Sequence, residues 1–408
     1  MDRIEVETYR RHRFAALFEG VFGVIIWSTP EITRKALDAP ILLITLIVMA
    51  PAVTQTLAIF VAGRIAASRP RRLIRTAAIL GRTPLILLAF FSRDPWLILI
   101  LITIQALASV TIVSAWNSVL RTNYTAPNRG TLFGRASRFQ SIAAATAVIG
   151  TGIWARHDGE AYRWFIPLAA ILGVIGCSIF SSTPLRSHEK AAPSAVRLSS
   201  FGLLLDVLVK DARFRRYEIG FFLYGLGFMA LATAKPLISV DTLDLEWDVL
   251  LGAKAIPSIC GVFLAPLFGR WMDRIGPPRL GALSFACLVL YAGALALARG
   301  PVGYCVAEGV FGTAMTGVLL IWNMGPVAFA PEGRAMHYMS VHVALVGVRG
   351  LIGHPIGGVI AAVADPRWVL VFSSIAWLAG SLVMASLGRR MREDAKNQGP
   401  KGTSSWAT

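Results

Sequence analysis

The sequence predicts an all-α integral membrane protein with twelve transmembrane helices in two pseudo-symmetric halves of six. Three observations support this fold class: a composition too apolar for a soluble protein, basic residues collected in alternate loops, and an internal repeat. Of the 408 residues, 55% are hydrophobic and 15% are charged, whereas soluble domains carry about 25% charged residues. These values exclude an ordinary soluble protein.

Twelve apolar stretches alternate with charged or turn-forming segments. Their lengths lie on both sides of the roughly 20 residues that a helix needs to cross a bilayer core, and the first is among the short ones. The predicted spans are Phe14–Pro30, Ile41–Ala62, Leu73–Phe91, Trp96–Leu120, Phe139–Ala155, Trp164–Phe180, Tyr217–Leu237, Val249–Phe268, Leu280–Ala298, Val302–Phe329, Val341–Val363 and Trp368–Leu387.

A long polar segment rich in Ser, Arg and Lys separates the sixth span from the seventh. It divides the chain into an N-terminal half (1–182), a linker (183–212), a C-terminal half (213–387) and a polar tail (388–408). With both termini in the cytoplasm, most of the 40 Lys and Arg residues lie on the inner side, as the positive-inside rule requires. The formal charge of +17 therefore reflects topology, and no nucleic-acid partner is needed to explain it.

The two halves share a sequence repeat. YRRHRFAALFEG from Tyr9 aligns with FRRYEIGFFLYG from Phe214, and AGRIAASRPRR from Ala62 aligns with FGRWMDRIGPPR from Phe268. APNRG from Ala126 aligns with APEGR from Ala330, so the offset stays between 204 and 206 residues. Membrane transporters are commonly built from such repeats.

The loop after the eighth helix carries the most specific motif, GRWMDRIGPPR. It resembles the G-x-x-x-D-R-x-G-R-R signature of the major facilitator superfamily, and the resemblance extends over essentially the whole chain. Its glycines allow a tight turn and close helix approach, its aspartate can cap a helix or pair with an arginine, and its arginines hold the loop at an anionic surface. The motif residues are Gly269, Asp273, Arg274, Gly276 and Arg279.

The first-half copy of this gating loop keeps Gly63, Arg64 and Arg72 but has Ala67 in place of the aspartate. We therefore assign no latch role to Ala67. Superfamily exporters often carry a glycine- and proline-rich signature in the fifth helix, which here reads AVIGTGIW. The eleventh helix has the similar sequence GHPIGG, a small reason to expect export.

The resemblance implies that the first, fourth, seventh and tenth helices line a central cavity. Polar residues in these spans and their neighbours are the candidates for contacting substrate or a coupling ion, because a charge inside a membrane helix costs about 2.5 to 3.5 kcal/mol on insertion scales. Each amide may instead bond another helix. The candidates are Glu19, Gln105, Asn117, Lys254, Glu308, Asn323 and Arg349.

The two carboxylates have alternative interpretations. Glu19 is either a proton-coupling acid or the partner of Arg138 or Arg82, unless the span starts later and leaves it in water. Glu308 could approach Arg349, as structural support or as a substrate or proton switch. Lys235 precedes a proline near the outer surface and can snorkel, so Lys254 is the lysine expected to face the cavity.

The histidines are more consistent with packing than with metal binding. His342 and His354 lie a little over three turns apart, too far to share a metal. We therefore expect neither a metal nor a cofactor.

Together these features predict a secondary transporter that moves a small, partly apolar organic molecule by alternating access, coupled to protons. The chain has no GxxxxGK[ST] sequence for ATP and no HExxH or GxSxG motif, so an enzyme is not expected. A lipid-modifying membrane enzyme and a transporter-like sensor that moves nothing are the alternatives. We expect a monomer in the bilayer of the bacterial cytoplasmic (inner) membrane.

Overall fold

The structure is a computed structural model that describes residues 1–66, 70–91, 93–186, 206–331 and 334–398. Within these ranges the side chains of 57–66, 126, 127, 335, 336, 395, 396 and 398 are not described. All regular secondary structure in the described ranges is helical.

Twelve long helices, numbered here span 1 to span 12, account for most of the described residues. Their bounds are Arg3–Trp27, Ile41–Ala66, Pro70–Phe91, Pro95–Asn123, Ala126–His157, Tyr162–Ser181, Ala212–Leu237, 255–275, 277–297, Pro301–Phe329, Ala335–Val363 and Trp368–Gln398. Spans 1 and 5 begin 11 and 13 residues before the predicted apolar stretches, because their charged first turns are helical as well.

Length and hydropathy alone identify eight spanning helices among the described residues, or nine if a bent pair counts as one. That count treats Trp247–Leu297 as a single run. Gly276 interrupts this run with φ 76° and ψ 161°, a conformation that glycine adopts without strain, and it separates spans 8 and 9. Span 1 is followed by the short helix Thr29–Leu37, which is bent from it by 46°.

Aspartates determine where three of the spans begin. Asp2 accepts a hydrogen bond from the Glu5 N–H, Asp94 from the N–H groups of Trp96 and Leu97, and Asp211 from those of Arg213 and Phe214. Each satisfies backbone donors that have no partner within the helix. These caps start spans 1, 4 and 7.

The chain forms two compact units. The first comprises Met1–Arg197 together with Glu246–Ala255, and the second comprises Leu198–Leu245 together with Ile256–Thr408. The short helix Trp247–Gly252 thus packs with the first unit, where Asp248 pairs with Arg156 of span 5.

Equivalent contacts recur in the two units. In the first, the rings of His12 and Tyr124 join spans 1 and 4 at a centroid distance of 6.0 Å. In the second, Tyr217 and Phe329 join spans 7 and 10 at 4.9 Å. Both residues of the second pair stand 205 positions after those of the first, which is the repeat offset found in the sequence.

Candidate functional site

Glu19 and Arg82 form a two-point ion pair inside the first unit. Arg82 Nη1 lies 2.5 Å from Glu19 Oε1, and Nη2 lies 2.9 Å from Oε2. The arginine side chain is 3% exposed and that of the glutamate 18%. Of the two arginines considered from the sequence, Arg82 is the partner.

Neighbouring groups complete the environment of this guanidinium. Arg82 Nη1 also donates to the Gly173 carbonyl oxygen of span 6 at 2.7 Å, and the ring of Phe22 lies 4.0 Å from its Cζ atom. Gly173 leaves the necessary room, since a Cβ there would lie 2.7 Å from Arg82 Nη1. Cys177 adds a thiol 3.4 Å from Glu19 Oε1. Spans 1, 3 and 6 are therefore joined by one polar cluster.

Glu308 of span 10 pairs with Lys235 of span 7 in the second unit. Lys235 Nζ lies 2.7 Å from Glu308 Oε1, with side-chain exposures of 15% and 1%. The rings of Phe311 and Tyr304 lie 5.1 and 5.8 Å from the ammonium group. This corrects two expectations: Arg349 is not the partner of Glu308, and Lys235 is held by a buried carboxylate.

Arg349 of span 11 is buried against span 7 instead. Its Nη1 donates to the Phe221 carbonyl oxygen at 2.9 Å, and its Cζ lies 5.8 Å from the Phe221 ring and 5.7 Å from the Tyr224 ring. The chain passes closely here because Gly225 has no side chain to collide with the arginine. Among the described residues no carboxylate lies within ion-pair distance of Arg349.

A second titratable pair in this unit is one that sequence reasoning missed. His342 Nδ1 of span 11 lies 2.9 and 3.1 Å from the two carboxylate oxygens of Glu218 in span 7, and both side chains are buried. Glu218 is the second residue of the seventh predicted apolar stretch, so its position at the edge concealed it. His342, expected from the sequence to pack, therefore has a buried carboxylate as its hydrogen-bond partner.

Lys254 lies in the first unit and faces Glu31. Its Nζ lies 2.7 Å from Glu31 Oε1, with side-chain exposures of 9% and 5%. The structure thus gives Lys254 a buried carboxylate partner, and its role in a cavity stays a prediction. Glu31 escaped notice because it directly follows Pro30, the last residue of the first predicted span.

The three amides divide into one buried and two exposed residues. Gln105 is buried, and its Nε2 donates to Ser109 Oγ of the same span at 2.6 Å. Asn117 and Asn323 are exposed on spans 4 and 10, where Asn323 Nδ2 donates to the Leu319 carbonyl oxygen at 2.7 Å. Each follows a tryptophan, so the dipeptide Trp-Asn recurs 206 positions apart at equivalent places in the repeat.

The gating-loop residues are placed only in part. Gly276 interrupts the helix between spans 8 and 9. Arg279 packs against Gly388 of span 12. Asp273 and Arg274 are exposed, and within the described residues Asp273 has neither a cap nor an arginine partner. Gly269 has open space around it.

In the first copy of the gating loop, Arg72 is exposed at the start of span 3. Gly63 and Arg64 lie in the last turns of span 2, and their side chains are outside the described set. Ala67 is outside the described residues altogether.

A family comparison decides the identity of this twelve-span chain. The sequence model described as Major Facilitator Superfamily matches residues 14–335. The chain belongs to the major facilitator superfamily. The fold class predicted from the sequence is thereby confirmed: this superfamily member is an integral multi-pass membrane protein and a secondary transporter.

Solved structures of superfamily transporters share the fold. A mutant of the nucleoside transporter NupG superposes with a TM-score of 0.71 at 13% identity, covering 94% of this chain and 100% of that one. The human organic anion transporter MFSD10 (TETRAN) gives 0.66 at 15%, covering 94% and 100%. A bacterial homologue of the human drug peptide transporters PepT1 and PepT2 gives 0.67 at 12%, covering 95% and 99%. No curated protein matches the chain.

Proposed function

We propose that this superfamily member moves a small, partly apolar organic molecule by alternating access, driven by protons, with Glu308 as the coupling carboxylate. The observation that carries the proposal is the buried Lys235–Glu308 pair between spans 7 and 10. Among the described residues, Lys235 is the cation within ion-pair distance of Glu308, so protonation of this carboxylate acts on the contact between spans 7 and 10.

The chemistry follows from the two states of this pair. With Glu308 ionised, its negative charge holds the Lys235 ammonium, and neither charge stands alone in the low-dielectric interior. When Glu308 takes up a proton, that attraction is lost, and the ammonium of Lys235, the more exposed of the two side chains, can turn toward solvent or substrate. One proton thereby controls the contact between two spans.

Glu19 is less suited to this role. Its two oxygens are both engaged by Arg82, a cation that is not deprotonated in proteins, and Arg82 is also bonded to a backbone carbonyl. Protonating Glu19 would leave a buried guanidinium without a counter-charge. We therefore propose a structural role for Glu19, in place of coupling.

Substrate contact is assigned to the repeated amides. Asn117 and Asn323 are exposed on spans 4 and 10, which the family resemblance implies as cavity-lining, and a carboxamide can both donate and accept hydrogen bonds. Phe311 and Tyr304 beside Lys235 add apolar surface for a partly apolar molecule. The structural neighbours carry nucleosides, organic anions or peptides according to their names, so the fold alone does not select among cargoes.

The proposed topology keeps both termini in the cytoplasm of a bacterial cell, with the protein as a monomer in the inner membrane. The arginine-rich ends of the spans support this orientation. Export is the proposed direction, and the GHPIGG sequence of span 11 is the feature that favours it.

A proteoliposome experiment separates coupling from substrate binding. Compounds that raise the thermal midpoint of the purified protein are tested for counterflow exchange at equal pH on both sides, and for accumulation driven by a pH gradient. The proposal expects Glu308→Gln to retain exchange and to lose gradient-driven accumulation by about tenfold or more, since removal of a group used in proton transfer costs at least that.

One matched variant gives the control. Glu393→Gln removes an exposed carboxylate of the same unit that lies outside the gating loop and has no ion-pair partner among the described residues, and it should leave the pH-gradient response within about twofold of the parent. If Glu308→Gln still accumulates substrate like the parent, Glu308 is not the coupling group. If no compound is exchanged by the parent protein, a non-transporting sensor replaces the proposal.

A further inference from the structure

The first unit contains a basic cleft where the beginning of span 3 meets the end of span 6. Its volume is about 870 Å³, and its lining contains three arginines and three serines but no acidic residue. We propose that this cleft binds the phosphate of an anionic phospholipid. The cleft residues used in the argument are Arg71, Arg72, Arg75, Ser178, Ser182 and Leu185.

One arginine of the cleft, Arg71, is already hydrogen-bonded within the protein. Arg71 Nε donates to the Ser181 carbonyl oxygen at 2.8 Å, and Arg11 donates to Ser182 Oγ at 2.5 Å. The Arg71 bond satisfies a carbonyl at the end of span 6, where the helix leaves acceptors without a partner. It also shows that Arg71 has a structural role.

Arg72 and Arg75 are different. Both are exposed, and within the described residues no carboxylate pairs with either side chain. The first turn of span 3 contains no acidic residue, so its free backbone N–H groups add to the positive potential. The cleft therefore concentrates positive charge that no carboxylate of the described ranges neutralises.

The surface leading away from the cleft is apolar, and this selects a lipid over a free anion. Arg72, Arg75 and Ile79 lie on one face of span 3, because residues three or four apart project in the same direction. That face continues to Leu80, which is 71% exposed. A cation at the helix end followed by exposed aliphatic side chains matches the order of headgroup and acyl chain in a phospholipid.

Span 6 repeats this arrangement. Leu168, Ile171 and Ile175 are 50%, 42% and 40% exposed at spacings of three and four residues, and the same face reaches Ser178 and Ser182 in the cleft. Spans 3 and 6 pack against each other within the first unit. Two adjoining apolar faces thus end at one basic cleft, where a phosphate can accept from Arg72, Arg75 and the Ser178 hydroxyl, while the Ser181 and Ser182 hydroxyls donate to carbonyls of span 6.

The inference is independent of Glu308 and of the transported molecule. It concerns the face that the proposed topology places at the cytoplasmic leaflet, where anionic lipids are enriched and each nearby arginine contributes to binding. Basic pockets at the inner ends of spanning helices are suited to such headgroups.

Native mass spectrometry of the full chain, released from detergent, measures the binding. The probes are dioleoyl-phosphatidylglycerol, dioleoyl-phosphatidylcholine, glycerophosphoglycerol and inorganic phosphate. We expect phosphatidylglycerol to bind more tightly than the other three, and the double variant Arg72→Gln/Arg75→Gln to weaken it by about tenfold or more.

Matched variants separate the site from general charge. Arg389→Gln/Arg390→Gln removes two exposed arginines at the end of span 12 and should change the affinity by less than about threefold, while Arg72→Lys/Arg75→Lys should keep most of it. Equal affinity of the Arg72/Arg75 glutamine variant and the parent would overturn the proposal. So would equal binding of phosphatidylcholine, or displacement of the lipid by inorganic phosphate at the same concentration, which would indicate a simple anion site.

Discussion

The two units stabilise a buried carboxylate in different ways. In the first, Glu19 meets Arg82 through two contacts and the arginine is also bonded to a span 6 carbonyl. In the second, Glu308 meets Lys235 through a single ammonium group, among aromatic rings. The repeat offset does not superimpose these pairs: the position 205 residues after Glu19 is Tyr224, whose ring stacks on Phe285 at 4.8 Å.

This difference indicates how related halves acquire separate roles. The planar guanidinium of Arg82 donates to both carboxylate oxygens of Glu19 and to the Gly173 carbonyl oxygen, so it connects spans 1, 3 and 6. A lysine is a point charge on a flexible stem, so a pair built on it can open when its partner is neutralised. We therefore expect the first unit to be the more rigid of the two around its ion pair, and the second to carry the proton-dependent change.

The largest expected effect is on stability in the first unit. Glu19→Gln leaves Arg82 buried without its counter-charge, and we expect the free energy of unfolding to fall by about 3–5 kcal/mol. Thermal unfolding in detergent measures this as a lowered midpoint. Glu160→Gln is the control, because Glu160 pairs with Arg93 and Arg163 near the surface and its loss should scarcely move the midpoint. A parent-like Glu19→Gln protein would remove the distinction between the units.

Double-mutant cycles compare the two pairs directly. Combining Glu19→Gln with Arg82→Gln should give a coupling energy near the upper end of the range of about 0.5–3 kcal/mol seen for contacting residues. Combining Glu308→Gln with Lys235→Gln should give a value in the lower half of that range, since one contact is lost and Lys235 is partly exposed. Equal coupling energies would contradict the comparison.

In each unit an arginine side chain also packs directly against a glycine. A Cβ at Gly173 would meet Arg82, and one at Gly225 would meet Arg349. We expect Gly173→Ala and Gly225→Ala each to destabilise the protein by about 1–3 kcal/mol through overpacking. Gly293→Ala on span 9, where nothing lies within 4 Å, should stay within about 0.5 kcal/mol of the parent. Midpoints of thermal unfolding test all three.

The smallest expected effect is an acid transition at the beginning of span 1, outside the apolar stretch. Hydrogen bonds from the Thr125 hydroxyl and N–H and from Asn128 lower the pKa of Glu5 from 4.5 to about 2, although burial opposes this. A carboxylate with a lowered pKa in the folded state adds stability above pH 4.5, and that stability is lost as the pH falls toward 2.

Glu5→Gln should therefore lower the unfolding midpoint at neutral pH and flatten its decline between pH 4.5 and 2. Glu393→Gln, at an exposed carboxylate of span 12, should follow the parent curve. An unchanged acid limb in Glu5→Gln would show that these hydrogen bonds do not stabilise the fold.

The fold class could be predicted from the sequence because hydropathy, the placement of basic residues and the repeat are all visible along the chain without knowledge of how the helices pack. The sequence also identified Arg82, which lies somewhat deeper in its span than Glu19, as one of two possible partners of that carboxylate, the other being Arg138. It could not identify Lys235 as the partner of Glu308, or Glu31 as that of Lys254. Those choices depend on which helix faces meet after packing, and a proline beside Lys235 suggested a surface position.

Two buried pairs contain carboxylates at the edges of predicted apolar stretches, and for that reason the sequence did not reveal them. Glu218 and Glu31 lie within two residues of predicted boundaries, where a carboxylate is normally read as solvated. In the structure both are buried with a basic partner. The recurrence of Trp-Asn in spans 4 and 10 was readable from the sequence, and the structure adds that both asparagines are exposed.

The most direct test compares Glu308→Gln and Glu19→Gln in one assay: stabilisation by a bound transport substrate, measured by thermal shift at pH 6 and pH 8. The account predicts that the parent and Glu19→Gln change their ligand stabilisation between the two pH values, while Glu308→Gln shows the same stabilisation at both. A pH-dependent response that persists in Glu308→Gln and disappears in Glu19→Gln would assign coupling to the first unit and contradict the account.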